Sequence, residues 1–164
     1  MPRQITTTVY QFDELNDKAK ERARDWYREG ALNDEWWDYI YEDAEKAGLK
    51  ITGFDIGRGQ YVEGKLIKSV AQSIEAILAD HGDECGTYKL ATQYKARLSL
   101  LDKGSQEYDD ELDRIEQEYT EALCEEYRHM LEREYEYLLS DECVDETILA
   151  NEYEFEEDGC SARK

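Results

Sequence analysis

Hydrophobic and polar residues follow two different periods along the first half of the chain, which predicts both strands and helices. Residues 5–12 are β-branched and aromatic and predict a strand. Apolar side chains at helical spacing predict a helix over residues 13–30, with Asp13 as its N-cap. A second helix is predicted over residues 33–47, and Gly48 is expected to end it.

Two short apolar runs follow and predict a β-hairpin. Residues 49–56 and 61–67 carry strand-forming side chains, and Gly57–Gly59 between them favours a tight turn. Beyond the hairpin the apolar spacing becomes helical. It predicts one helix over residues 70–82 and another over residues 86–102.

The longest regular pattern covers residues 106–139, which include neither glycine nor proline. Apolar residues recur there in steps of three and four, at Tyr108, Leu112, Ile115, Tyr119, Ala122, Leu123, Tyr127, Met130, Leu131, Tyr135 and Leu138. This stripe predicts one helix of about 50 Å, at a rise of about 1.5 Å per residue. A short helix or turn over residues 141–151 and an edge strand at Tyr153–Phe155 complete the predicted elements.

These elements predict an α+β fold, in which helices pack on a small antiparallel sheet of three or four strands and one long acidic helix lies near the C-terminus. Residues 1–164 are expected to form a single domain. Within it, residues 1–104 make the α+β unit, and residues 105–164 supply the long helix, the short helix and the returning strand. Hydrophobic residues make up 40% of the chain and aromatic residues 12%, which favours a folded core despite the many charges.

The charge of the chain is concentrated at its C-terminal end. Residues 105–164 contain 22 acidic and five basic residues, a formal charge of −17, whereas residues 1–104 contain 19 acidic and 15 basic residues and carry −4. A surface this negative repels nucleic acid and attracts basic protein surfaces over roughly a Debye length, about 8 Å at physiological salt. The charge therefore predicts a basic protein as partner and no direct binding to nucleic acid.

The predicted long helix carries most of the candidate binding residues. Many of its acids stand three or four residues apart with no lysine to pair, which costs a helix about 0.2–0.5 kcal/mol per pair. The candidates are Glu107, Asp109, Asp110, Glu111, Asp113, Glu116, Glu118, Glu121, Glu125, Glu126, Glu132 and Glu136. Such carboxylates can occupy the groove that a basic protein uses for nucleic acid, although an acidic face kept for solubility is the alternative interpretation. Trp36 is a further candidate, because it and Trp37 point about 100° apart on a helix and cannot both be central to one core face.

Motifs for catalysis or metal binding are weak. Glu126-x-x-His129 resembles half of a carboxylate-bridged di-metal site, but His81, the other histidine, lacks the matching glutamate. The chain also contains the ligand types of a zinc site, at His81, Cys85, Cys124 and His129. Cys124 and His129, however, point about 140° apart on a helix and do not face one ion. Since no Gly-x-Ser-x-Gly and no phosphate-binding glycine loop occurs either, we predict no enzyme and no bound metal or cofactor.

Several segments resemble a widespread family of small phage and prophage proteins. They are Val9–Leu15, Ala23–Arg28, Trp36–Trp37, Glu42–Ala44 and Leu49–Asp55, and the similarity continues through Asp145–Thr147 and Asn151–Phe155. The resemblance spans most of the chain and implies an origin in a mobile element. Some members of the family carry an antitoxin-like label, and no catalytic residues are implied. Small acidic phage proteins include antirestriction and anti-CRISPR inhibitors, several of which mimic DNA.

One hypothesis and three alternatives follow. The hypothesis is a phage- or prophage-encoded inhibitor that binds a basic host defence protein, a CRISPR effector or restriction nuclease, and blocks its DNA or RNA site, with DNA mimicry as one mode. The alternatives are an antitoxin that caps a basic toxin, a homo-oligomer that buries the tyrosine-rich stripe between paired helices, and an enzyme with a carboxylate-bound metal. Because the sequence shows no apolar leader and no run of about 18 apolar residues, we expect the protein in the bacterial cytoplasm, away from membranes. We expect a monomer or homodimer, since an inhibitor has no need to be larger.

Overall fold

The computed structural model describes residues 2–32 and 35–162. In chain order its elements are β1 (Tyr10–Gln11), a 3₁₀ turn (Phe12–Glu14), α1 (Asp17–Gly30), α2 (Asp38–Lys46), β2 (Leu49–Asp55), β3 (Tyr61–Leu66), α3 (Val70–Asp80), α4 (Gly86–Ser99), α5 (Tyr108–Leu138), α6 (Asp141–Ala150) and β4 (Glu154–Phe155). The α+β class is therefore confirmed. The long helix is confirmed as well, because α5 contains 31 residues.

Contacts between residues group the chain into two compact units. Met1–Trp36 and Glu134–Lys164 form one, called here the terminal unit, and Trp37–Arg133 forms the other, the central unit. The boundary falls in the last turns of α5. The expectation of a single domain stays a prediction.

A small aromatic and aliphatic core holds the terminal unit together. Its buried side chains are Phe12, Leu15, Ala19, Ala23, Val144, Ile148 and Phe155. β1 and β4 pair antiparallel, with Tyr10 opposite Phe155, so the predicted returning strand does join a sheet. Beside the core, Arg24 donates hydrogen bonds of 2.7 and 2.9 Å to the two carboxylate oxygens of Asp145. This bidentate pair ties α1 to α6.

The strand predicted over residues 5–12 is mostly wrong. Only Tyr10–Gln11 are paired, because the partner strand β4 contributes just two residues. Ile5 is 77% exposed, so its β-branched side chain gains nothing from burial. A high β-propensity without a partner strand or a packed face is not enough to form a strand.

The predicted N-cap of α1 is also wrong. Asp13 lies in the 3₁₀ turn, and α1 begins after Asn16. The Asn16 side-chain oxygen accepts a hydrogen bond of 2.9 Å from the backbone N–H of Ala19. Both residue types are good N-caps, and the packing of Phe12 and Leu15 into the core decides which of them takes the position.

In the central unit, the apolar stripe of α5 forms part of the core. Its buried members are Ile115, Tyr119, Leu123, Tyr127 and Leu131. The Tyr119 ring centroid lies 5.3 Å from that of Tyr94 in α4, and its hydroxyl lies 2.7 Å from that of Ser73 in α3. The stripe therefore packs within its own unit at these positions.

The hairpin and the end of α2 match the sequence-based expectations. β2 and β3 pair antiparallel, from Leu49 opposite Leu66 to Asp55 opposite Tyr61. Gly48 has a φ of +91°, the left-handed conformation that glycine adopts most easily, and it follows the C-cap of α2. The start predicted for this helix, Asn33 or Asp34, lies outside the described residues, among which α2 begins at Asp38.

The predicted single sheet is not formed. The strands of the described chain lie in two separate two-stranded sheets, β1 with β4 and β2 with β3. Each pair belongs to a different compact unit, since the hairpin lies in the central unit and both chain ends lie in the terminal unit. Propensity identified these strand-forming segments but carried no information about their partners.

Candidate functional site

The acids at the start of α5 have a role within the helix itself. Asp109, Asp110 and Glu111 lie in its first turn, where carboxylates interact favourably with unpaired backbone N–H groups and with the positive end of the helix dipole. Just before them, the Ser105 hydroxyl accepts a hydrogen bond of 3.1 Å from the backbone N–H of Glu107. Part of the acidic pattern therefore stabilises the helix rather than weakening it.

Three of the candidate carboxylates are paired with arginines of the central unit. A terminal nitrogen of Arg97 in α4 lies 2.7 Å from a carboxylate oxygen of Glu118. Arg128 donates hydrogen bonds of 3.0 Å to Glu125 and to Glu132 on either side of it. The bonds from Arg128 hold the pKa of Glu125 below its usual value. Because two arginines already offset part of the charge of these three carboxylates, they are poorer partners for a second basic surface.

Glu126 lies against the N-terminus of α4. A Cβ atom at Gly86, the first residue of that helix, would lie 2.2 Å from a Glu126 carboxylate oxygen, so the carboxylate sits directly on the helix backbone. The positive end of a helix dipole favours such a neighbour. His129, three residues further on, is exposed, and its Nε2 lies 3.7 Å from Glu125. Glu126 thus has an intramolecular role that its spacing from His129 did not suggest.

Five candidates have neither an ion-pair partner nor a buried position. Glu107, Asp109, Asp110, Asp113 and Glu116 are exposed and, within the described part of the chain, take part in no ion pair. They lie within the ten-residue stretch 107–116 around the start of α5, which rises by about 14 Å. These five residues are called the acidic patch below.

The remaining candidates are dispersed. Glu111 is half-buried, and Glu121 is exposed in the middle of α5. Glu136 and Trp36 belong to the terminal unit, where the Trp36 ring centroid lies 6.1 Å from that of Tyr135. Trp36 is half-buried. A role for any of these four in binding a partner stays a prediction.

A polar network that the sequence did not predict joins four helices of the central unit. Asp43 of α2 accepts a hydrogen bond of 2.8 Å from the Tyr127 hydroxyl, and its Oδ2 lies 3.4 Å from Nε2 of His81. Nδ1 of His81 lies 2.5 Å from the hydroxyl of Thr87. The hydrogen bonds from His81 and Tyr127 lower the pKa of Asp43, and burial raises the pKa of Tyr127. Since Thr87 is fully buried and both His81 nitrogens face neighbours, this network is a structural one.

An open groove lies among α3, α4 and the start of α5. Its volume is about 580 Å³, and its apolar lining includes Ile74, Leu98 and Leu112. The apolar spacing of the sequence predicted the helices that carry these positions. Helical spacing identifies an apolar face but does not distinguish a closed core from a groove.

Comparison of the chain with protein-family models, with curated proteins and with solved structures gives no match in any of the three. Among the described helices, none is both long enough and apolar enough to cross a membrane. The geometry and charge of the chain itself are therefore the basis for proposing a function.

Proposed function

We propose that this protein is a non-enzymatic acidic inhibitor, encoded by a phage or prophage, that binds a basic nucleic-acid-binding host defence protein in the bacterial cytoplasm and blocks its DNA or RNA site. The acidic patch carries the proposal. Its five exposed carboxylates, which have no ion-pair partner among the described residues, stand together around the start of α5, whereas Glu118, Glu125 and Glu132 of the same helix are paired with arginines. Lys/Arg grooves of restriction nucleases and CRISPR effectors have the complementary charge.

The acidic patch is long enough to imitate only a short part of a DNA duplex. Its rise of about 14 Å corresponds to about four base pairs at 3.4 Å per pair. In a host protein whose groove holds a longer duplex, the patch would occupy only a few of the phosphate-binding positions. The rest of the duplex would be excluded sterically by the bulk of this protein. The whole of α5 adds long-range attraction, because its 12 acidic and three basic residues give it a formal charge of −9.

Competitive capture tests this function. The immobilised protein is exposed to lysate from a host that carries nucleic-acid-targeting defence systems, and bound proteins are eluted either with excess duplex DNA or with raised salt. We expect a basic nuclease or CRISPR effector that both treatments release, because DNA and the acidic patch compete for the same cations. A partner that salt releases and DNA does not would point to a steric inhibitor or an antitoxin.

A pair of charge-matched variants shows whether the patch is the binding site. One variant combines Asp109→Asn, Asp113→Asn and Glu116→Gln, and the control combines Glu146→Gln, Glu156→Gln and Glu157→Gln, three exposed acids of the terminal unit. Both lose three negative charges. The proposal requires that the first variant retains much less partner than the control. Equal retention would leave net charge, and not the patch, as the cause of binding.

A further inference from the structure

The groove beside the acidic patch is an incompletely covered apolar surface. On its floor, Val70 and Ile74 of α3 are 4% and 1% exposed. Leu98, Leu101, Tyr108 and Leu112 along its sides are only half-buried. Leu100, between two of these lining residues, is 84% exposed, the largest exposure among the large hydrophobic side chains of the described chain. Covering this surface would remove apolar area from water, which is the main favourable term in protein association.

The charges around the groove are unevenly matched. Lys95 and Glu75 lie 3.2 Å apart on one rim and neutralise each other. Lys103 and Glu116 also line the groove, and neither has an ion-pair partner among the residues described. Asp109 and Asp113 of α5 lie beside these lining residues and add negative charge. The charged residues that line the groove balance each other, and the excess negative charge comes from Asp109 and Asp113 on the adjoining face of α5.

Two members of the acidic patch stand beside the groove because of the helical repeat. Tyr108, Leu112 and Glu116 line it from α5, at intervals of four residues. Asp109 and Asp113 each follow a lining residue and so lie about 100° further around the helix, at the edge of the groove. Apolar lining and unpaired carboxylates thus run side by side over two turns, about 12 Å.

We propose that this groove binds a basic amphipathic helix of the partner protein, with aliphatic side chains in the groove and Lys or Arg against Asp109, Asp113 and Glu116. The proposal deepens the proposed function, because it rests on the partner being a basic protein. An apolar stripe with cationic flanks complements this surface in both shape and charge, and helix-in-groove docking uses two or three anchors over such a length. A membrane surface and a second copy are disfavoured, since the chain carries −21.

Two synthetic peptides of identical Leu/Lys composition, each about four helical turns long, provide the probe. One places leucine at i, i+3, i+4 and i+7, and the other distributes leucine around the whole helix. Binding is measured by fluorescence anisotropy in about 0.15 M salt, where the Debye length is about 8 Å. We expect the amphipathic peptide to bind at least about tenfold more tightly, and to shift the amide NMR signals of groove residues.

Matched substitutions locate the binding surface. Ala71 lines the groove on α3 and Ala79 lies near the other end of that helix, and both are exposed, so Ala71→Arg and Ala79→Arg add the same charge without disturbing a core. Ala71→Arg should remove the preference for the amphipathic peptide, and Ala79→Arg should keep it. Likewise, Asp109→Asn with Asp113→Asn should weaken binding more than Asp110→Asn with Glu121→Gln, which removes two exposed charges of α5 that do not line the groove.

The proposal is overturned if neither peptide binds, if both bind equally, or if the paired variants behave alike. A dimer of this protein that Ala71→Arg dissociates in sedimentation would also overturn it, in favour of a second copy as the occupant. These outcomes leave the proposed function in place as long as duplex DNA displaces a captured basic protein. If the lysate capture retains no basic protein, the proposed function itself is contradicted, whatever the result of the peptide-binding experiment.

Discussion

At the scale of single residues, Tyr127 joins the hydrophobic core to the polar network. Its side chain is fully buried, and its hydroxyl donates to Asp43. Tyr127→Phe keeps the ring and removes this bond, which should lower the free energy of unfolding by about 1 kcal/mol. Urea denaturation followed by circular dichroism measures the loss. Tyr61→Phe, at a tyrosine that is 45% exposed, is the control and should change little.

Asp43 makes part of the stability dependent on pH. The hydrogen bond from His81, followed by that from Tyr127, places its pKa in the folded protein below the usual value. A depressed carboxyl pKa stabilises the fold above the pKa of the unfolded chain, about 3.9, and this contribution is lost as the pH falls through the lower, folded value. The difference in unfolding free energy between wild type and Asp43→Asn should therefore shrink below about pH 4. A difference that stays constant from pH 7 to pH 3 would contradict this.

Gly159 is a position at which a single methyl group should matter. Its φ is +92°, and a Cβ atom there would lie 2.1 Å from the backbone oxygen of Ala19 in α1. Gly159→Ala should thus lower the free energy of unfolding by about 1–3 kcal/mol, through strain and the separation of this turn from α1. Gly82→Ala is the control, because nothing lies within 4 Å of its added Cβ. Equal urea midpoints for the two variants would refute the close approach at Gly159.

At the scale of elements, substitutions can test whether the apolar stripe of α5 belongs to an internal core. Leu123 is fully buried, so Leu123→Ala should reduce the free energy of unfolding by about 2–5 kcal/mol. Leu100→Ala, at an 84% exposed position, should change it little. The unfolding midpoint should also be independent of protein concentration. A concentration-dependent midpoint would instead indicate that the stripe is shared between copies.

The elements themselves were largely predictable from the sequence, whereas their partners were not. The uninterrupted stripe from Tyr108 to Leu138 identified α5, and Gly48 marked the end of α2, because both signals depend on neighbouring residues in the chain. The pairing of Tyr10 with Phe155 joins opposite ends of the chain, and no local pattern encodes it. The strand predicted from residue 5 failed for the same reason.

The candidate site was predicted only as a list of acids. Spacing showed that carboxylates are crowded on one helix, but it could not show that Arg97 from α4 neutralises Glu118 or that Glu126 lies on Gly86. These contacts join residues distant in sequence. These contacts distinguish the five residues of the acidic patch from the other acids of α5, which counting charges in the sequence could not do.

At the scale of the whole molecule, the formal charge of −21 should oppose folding. Raising the salt concentration from about 0.01 to about 0.1 M shortens the Debye length from about 30 to about 10 Å and screens this repulsion. The thermal midpoint at pH 7 should therefore rise with sodium chloride. The same titration near pH 4.4, the isoelectric point, should give a much smaller rise. A midpoint that falls with salt at pH 7 would mean that specific ion pairs outweigh the overall repulsion.

The proposed inhibition requires that the acidic patch occupies a cationic nucleic-acid site of the host protein. The most direct measurement is the affinity of the captured host protein for labelled duplex DNA as this protein is titrated into the mixture. We expect wild type and the Glu146→Gln, Glu156→Gln, Glu157→Gln control to displace DNA at similar concentrations. The Asp109→Asn, Asp113→Asn, Glu116→Gln variant should need at least about tenfold more protein. Equal displacement by all three, or a host protein that holds DNA and this protein together, would contradict it.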